Sequence, residues 1–220
     1  MIKLYSGPLS MFGAKAEIAL REKGAPFELT MVEFSQERGY SPKHPEVLRV
    51  NPKRQVPVLL DDGVELFDST QIFEYCEDRW PTPALWPSAV PERARARQLE
   101  HASDEVFFPN VIKLMGMRAR PDPVDHPDWV NARAGIQAYY LRMEAQLAGR
   151  QFLAGAFSYA DIAFYMAQFF AARHTVPLTD DHVNLLAWRS RMASRPAVRP
   201  VIDRMAGYLR SIDYPVPPYD

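Results

Sequence analysis

Cysteine is nearly missing from this chain of 220 residues. The single one, Cys76, cannot close an intrachain disulfide, which argues against a cross-linked secreted scaffold and for a reducing compartment. Long apolar runs are missing too. No segment approaches the roughly 18 consecutive apolar residues that a membrane span requires. The opening MIKLYSGPLS has neither the apolar run nor the small-residue cleavage site of a signal peptide, so a cytoplasmic protein is expected. Charge of one sign is not in excess: 26 basic against 27 acidic residues give a net charge of −1 and no electrostatic case for nucleic acid or anionic membrane as partner. The five histidines show no metal-ligand spacing with one another or with carboxylates, so no metal site is assigned. Internal repeats and low-complexity segments are absent.

What is present fits a soluble globular protein, with 47% hydrophobic and 24% charged residues. Its central stretch is NPKRQVPVLLDDGVELFDS, residues 51–69. Val58-Leu59-Leu60, the turn pair Asp62-Gly63 and Val64 to Phe67 predict a β-hairpin. Pro57 cannot donate to a ladder, so it belongs at a strand's first residue or edge, a place where tight turns select the cis form. The backbone groups of Val56 are then expected to face outward. Asp68 caps a helix that starts at once, with Gln71 three residues on and apolar positions at helical spacing. An exposed extended backbone beside a helix N-terminus suits a small extended peptide with an acidic end. A proline-ended edge strand with an ordinary N-cap explains the same residues.

Before the hairpin, Ile2 to Tyr5 predicts a strand ended by Ser6-Gly7-Pro8, and Ser10 precedes a helix over residues 11–23. Residues 27–34 read as a second strand, parallel to the first because a helix connects them. One short helix is expected near Glu46 to Arg49. The order β-α-β-(short α)-β-β-α ends near Trp80, and four prolines between Pro81 and Pro91 mark a linker.

Beyond the linker strand signals stop. A helix over residues 92–116 places Leu99, Ala102 and Val106 on one face, with Pro109 expected to kink or break it near Phe107-Phe108. Arg118 to Asp128 reads as a loop and residues 127–147 as a helix. Ser158 and Asp161 form a capping box, with Phe157 and Ile162 as its hydrophobic staple. The helix they start carries Ile162, Tyr165, Met166, Phe169 and Phe170 toward a helical core. Capping alone sets the expected cost of losing Ser158 or Asp161 at about 0.5–2 kcal/mol. Two more helices follow, marked by Leu185, Trp188, Met192 and by Val198, Val201, Ile202, Met205, Leu209. The tail over residues 214–220, with three prolines, is expected to lie extended on the surface.

The order of elements, together with Leu4-Tyr5-Ser6-Gly7-Pro8-Leu9-Ser10, Asn51 to Leu59, Phe67 to Ile72 and Ser158 to Ala163, resembles the cytosolic glutathione transferase family over essentially the whole chain. In particular it resembles bacterial members with a serine-type active site. The resemblance implies a thioredoxin-like α/β N-terminal domain (residues 1–80), a linker (81–91) and an all-α helical bundle domain (92–220). It also implies a homodimer, and glutathione as co-substrate for attack on a hydrophobic electrophile or for glutathione-dependent reduction. Among such relatives the residue before the proline, here Val56 before Pro57, pairs by main chain with the cysteinyl unit. Asp68 and Ser69 receive the γ-glutamyl end, Ser69 its carboxylate and Asp68 its ammonium. Lys53 or Gln55 reaches the glycyl carboxylate; as a surface pair they are equally well explained by solvation.

By the resemblance Ser10 occupies the thiol-activating place, a position an ordinary N-cap also explains; Tyr5 resembles the strand-end tyrosine of other classes and Ser6 is within reach, while packing and turn roles explain these two as well. Phe12 stands where several classes carry Asn or Cys and cannot donate a conventional hydrogen bond. That departure, with Asp68 where many relatives have Glu, leaves room for a non-catalytic binding or regulatory protein on the same fold. Electrophile contacts are expected from Met11, Phe12, Phe107, Phe108, Met115 and Arg118. Cys76, inside a helix, is expected to be buried and inert, and Arg93, Arg95 and Arg97 to be a solvated surface.

Overall fold

The computed structural model describes residues 1–117 and 124–220, which fall into two compact units. One contains Met1–Ala84 and Pro196–Tyr214, the other Leu85–Arg195 and Pro215–Asp220. The first opens with β1 (Ile2–Ser6), α1 (Met11–Glu22), β2 (Phe27–Met31), α2 (Pro45–Val50), β3 (Val58–Asp61), β4 (Val64–Phe67) and α3 (Ser69–Arg79). The sheet order is β2-β1-β3-β4. β1 pairs parallel with β2 from Ile2 opposite Phe27, and β3 runs antiparallel to both β1 and β4.

Alternation along the strands sorts two apolar faces. Ile2, Leu4 and Leu59 pack with Ala16, Leu20, Ile72 and Cys76, while Tyr5 and Val58 pack with Val47, Phe67 and Tyr40. The Asp62-Gly63 turn has φ of 43° and 86°, the positive values a two-residue hairpin turn demands. β2 stops at Met31, three residues short of the predicted end, because β1 ends at Ser6 and offers no ladder partner beyond. Its last tie is Val32 N–H to Ser6 O, 2.8 Å.

The second unit contains α4 (Val90–Ala102), α5 (Phe108–Met117), α6 (Pro127–Gln146), α7 (Tyr159–Arg173) and α8 (Val183–Ala193). Between α4 and α5 lies not a break but one wide π-turn, Ser103–Phe107, in which Phe108 N–H donates to Ser103 O. The extra residue rotates the following positions by about one helical step of 100°. Val106, expected inward, is therefore 55% exposed, and Phe107 is fully buried in its place. Pro109, which has no N–H to give, follows the π-turn as the second residue of α5.

α7 is buried on every side from Tyr159 to Ala172. Its capping box is present, and Asp161 does more than cap. Its carboxylate accepts from Leu153 N–H (2.9 Å), Ser158 N–H (3.0 Å) and Trp188 Nε1 (2.9 Å). Burial pushes Asp161 up to about 6 against the pull of these donors. The tail after α9 has no helix or strand and is tied down at two points: Tyr165 hydroxyl donates to Tyr219 O (2.8 Å) and Arg189 Nε to Asp220 O (2.8 Å), two polar groups that burial obliges to find acceptors.

α9 (Arg199–Ser211) groups with the first unit. Arg204 pairs with the fully buried Glu17 of α1, which also accepts from Arg21 Nε at 2.9 Å. Tyr208 hydroxyl donates to Phe34 O at 3.1 Å. A linear reading of the sequence leaves α9 with the helices that precede it. Its polar partners on α1 and after β2 account for the grouping seen. Among the described residues no helix is long and apolar enough to cross a membrane.

Candidate functional site

Register alone brings three sequence signals to one end of the sheet. Tyr5 lies opposite Val58, and Val58 opposite Phe67. Since β3 is antiparallel to its neighbours, the exit of β1, the entry of β3 and the exit of β4 share that end. With strands about 4.8 Å apart, Ser6, Val56-Pro57 and Asp68 emerge within about 10 Å of one another across the sheet. α1 starts after the first of these exits and α3 after the last, so two helix N-termini with their partial positive charge open at the same place.

Ser10 is the N-cap of α1, extended at φ −109° and ψ 112°, and its Oγ accepts from Gly13 N–H at 3.0 Å. Accepting uses a lone pair; the hydroxyl proton stays available for donation. Ser10 is 7% exposed. Ser6 is buried as well, its Oγ pressed on the first turn of α1: a Cβ at Gly13 would stand 2.1 Å from Ser6 Oγ and 3.0 Å from Ser10 Oγ. Only glycine lets the helix begin so close to the end of β1. Tyr5 turns away from this cluster, its ring 4.8 Å from that of His44, which is a packing role.

The loop before β3 is held by a residue to which sequence reasoning gave no role of its own, Asn51. Buried, it donates through Nδ2 to Gln55 O (2.6 Å) and accepts through Oδ1 from Lys53 N–H (2.9 Å). Its carbonyl accepts from Arg54 N–H (2.8 Å), and Arg54 sits at φ 56°. An asparagine directly before a proline was the available signal, since its side chain bonds its own backbone in turns. The Val56-Pro57 peptide is cis. Pro57 is buried, Val56 is half-buried, and Lys53 and Gln55 are exposed.

Asp68 occupies φ 75° and ψ 126°, a region that costs a non-glycine residue about 1–3 kcal/mol. Its Oδ1 accepts from Thr70 N–H at 3.0 Å, and Oδ2 lies 3.9 Å from Lys53 Nζ. Ser69 follows, buried at the first position of α3. The first-turn N–H groups of a helix have no intrahelical acceptor, and Asp68 takes Thr70's. The constellation offers an anion hydroxyl and amide donors, with one carboxylate beside them for a cation.

The residues expected around an electrophile scatter in character. Met11 is buried, and Phe12 is half-buried with Lys15 Nζ 5.5 Å from its ring centre. Phe107 belongs to the core, its ring 5.2, 5.5 and 5.3 Å from those of Tyr139, Tyr140 and Phe164, and so lines no open surface. Phe108 is buried with its ring 6.1 Å from Phe170, and Met115 is 38% exposed. Arg118 lies outside the described residues. Cys76 is fully buried and its thiol is pushed up to about 12 by burial, which leaves it without thiolate character. No cluster of metal-ligating side chains occurs among the described residues.

The chain matches the family model "Glutathione S-transferase, N-terminal domain" over residues 9–79 and "Glutathione S-transferase, C-terminal domain" over residues 86–196. It is 30% identical over 213 residues to glutathione S-transferase 3 of Zea mays, covering 91% of this chain and 93% of that protein. It is 32% identical over 110 residues to a stringent starvation protein A homolog of Coxiella burnetii, a likeness spanning 49% of each. Among solved structures, a glutathione S-transferase from Rhodospirillum rubrum F11 superimposes with a TM-score of 0.77 at 27% identity, covering 92% of both chains.

Proposed function

The chain belongs to the glutathione S-transferase family, and from that premise we propose that it is a serine-type transferase that binds glutathione at the shared exit of β1, β3 and β4. The observation that carries this reading is the register Tyr5–Val58–Phe67, which brings the segments carrying Ser10, Val56 and Asp68-Ser69 out at one end of the sheet. The cysteinyl unit pairs with the main chain of Val56. The γ-glutamyl carboxylate takes the Ser69 hydroxyl and N–H at the start of α3, and its ammonium takes Asp68. Lys53 or Gln55, both exposed and adjacent, meets the glycyl carboxylate.

A free cysteine thiol titrates near 8.5, so at neutral pH the bound sulfur must be drawn toward its thiolate. Ser10 Oγ–H donates to that sulfur while Gly13 N–H continues to donate to Oγ, and the dipole of α1 adds its positive end. The thiol proton leaves to solvent. The sulfur lone pair then forms the bond to the electrophilic carbon as the leaving group departs with its electrons. Phe12, apolar and half-buried in the first turn of α1, favours a hydrophobic co-substrate over a second hydrogen-bond donor to sulfur. The protein acts as a cytoplasmic homodimer on this reading.

The test is calorimetric titration with glutathione of the wild type and Ser69→Ala, followed by conjugation assays with a small aromatic halide. Binding that weakens in the variant supports the assignment. No heat with either protein, and no thermal stabilisation by glutathione, would overturn it in favour of a non-catalytic interaction platform. Sedimentation at micromolar concentration tests the dimer.

A further inference from the structure

The segment between β2 and α2 reaches back onto the loop that carries Ser10, and the contact is specific. Tyr40 Oη accepts from the N–H of Leu9, the residue immediately before Ser10, at 3.2 Å. The hydroxyl end of the ring presses on Gly7: a Cβ there would stand 2.2 Å from Cε1, 2.5 Å from Oη and 2.6 Å from Cζ of Tyr40. Gly7 is thus glycine to admit this ring, since it has an ordinary φ. Tyr40 itself is presented by a tight turn in which Ser35 and Gly39 exchange both backbone hydrogen bonds, 3.0 and 2.8 Å, with Gly39 at φ 58°. Behind it, Phe34 packs on Tyr40 (4.7 Å) and on Tyr208 of α9 (6.0 Å), and Tyr208 hydroxyl holds Phe34 O. A chain of rings therefore runs from α9 to the peptide that sets Ser10.

We propose that Tyr40 is a positioning residue for thiol activation, its hydroxyl fixing the Leu9 peptide and through it the direction of Ser10 Oγ. Gly13 N–H holds Ser10 Oγ directly, and the Tyr40 bond to Leu9 N–H holds the backbone that leads into Ser10. The bond from Tyr40 is to the Pro8–Leu9 peptide, one residue before Ser10, while Ser10 N–H bonds only within the turn, to Gly7 O at 3.2 Å. Loss of the Tyr40 hydroxyl frees that turn without emptying the space its ring fills. The effect belongs to the activated sulfur and not to tripeptide affinity, because the groups assigned to hold the tripeptide lie at β3 and α3.

This inference rests on Ser10 as the activating group. The experiment is an ultraviolet thiolate titration of the glutathione complex, with steady-state kinetics, on wild type, Tyr40→Phe, Tyr40→Ala and Ser10→Ala. Expected for Tyr40→Phe is an unchanged melting temperature, glutathione Kd within twofold, a thiol titration raised by about 0.5–1 unit and kcat lowered about three- to tenfold, the measure of one hydrogen bond. Tyr40→Ala, which also removes the ring, is expected to do no less to kcat. A Tyr40→Phe titration that coincides with wild type while Ser10→Ala is shifted overturns the proposal and leaves the function standing. Weakened glutathione binding with no change in the titration overturns it equally, placing Tyr40 in the binding surface. An unshifted Ser10→Ala removes the premise itself.

Discussion

Two helices in this protein begin with the same chemistry, an aspartate and a serine, and use it in opposite ways. At α7 the aspartate is the third helical residue, fully buried, and satisfied by Leu153, Ser158 and Trp188 of its own unit. At α3 the aspartate is the N-cap itself, its side chain 41% exposed, in a strained backbone conformation at the open end of a sheet. One helix start is closed by the fold; the other faces outward with its donors. A capping motif marks a helix in both places, and only its surroundings say whether the donors are consumed or on offer.

The sharpest way to break that comparison is Asp161→Ala. Leu153 N–H and Trp188 Nε1 would lose their acceptor in the core, so the expected loss is about 3–5 kcal/mol by denaturant unfolding, above the 0.5–2 kcal/mol of a cap alone. Asp68→Ala should stay near the cap figure, about 1 kcal/mol, since alanine keeps the Cβ and with it the strained backbone at φ 75°. Equal losses at the two sites would erase the distinction.

Next comes pH. Burial pushes Asp161 up to about 6 in the folded state from about 3.9 in the unfolded chain, so the native protein holds the extra proton between these values. Stability from this group is fully present below about pH 4 and is lost as pH rises through 6, a decline of about 3 kcal/mol. Asp161→Asn should flatten that slope in unfolding curves taken from pH 4 to 7. An unchanged slope would show that the donors around the carboxylate hold it ionised throughout.

Ser10→Ala is expected to lower kcat about 10- to 100-fold at near-constant glutathione affinity, with about 1 kcal/mol of stability lost as the α1 cap goes. Ser69→Ala should do the reverse, weakening glutathione about tenfold, in proportion to a charge-assisted hydrogen bond, with kcat largely kept. If both variants changed only Kd, Ser10 would join the binding surface. The smallest effect is at Cys76. Fully buried and pushed up to about 12, it should resist a thiol reagent at neutral pH in the folded protein and react on unfolding; rapid native labelling would contradict that burial.

Much of this was legible in the residues. Strand and helix periods, the Asp62-Gly63 turn and the caps at Ser10, Asp68 and Ser158 are local signals, since the chemistry that forms them lies within four residues of chain. The elements of the sheet and of α7 follow from them, whereas the set Ser10, Val56, Asp68, Ser69 came from the family resemblance and is a proposal. Local signals could not reveal that a π-turn would advance the helical phase and bury Phe107 instead of Val106, because the choice between i−4 and i−5 pairing is made by packing and by the absent N–H of Pro109. Nor could they give the work of Asn51, the reach of Tyr40 to Leu9, or the pairing of Arg204 with Glu17 across 187 positions.

By itself, then, the order of residues determined which segments become strands and helices and which helix starts carry hydroxyls and carboxylates. The tertiary structure decided which of those helix starts remain open, since that depends on donors and acceptors brought from distant parts of the chain. Burial closed the start of α7 around Asp161, while the register of the sheet brought the starts of α1 and α3 to one end of it.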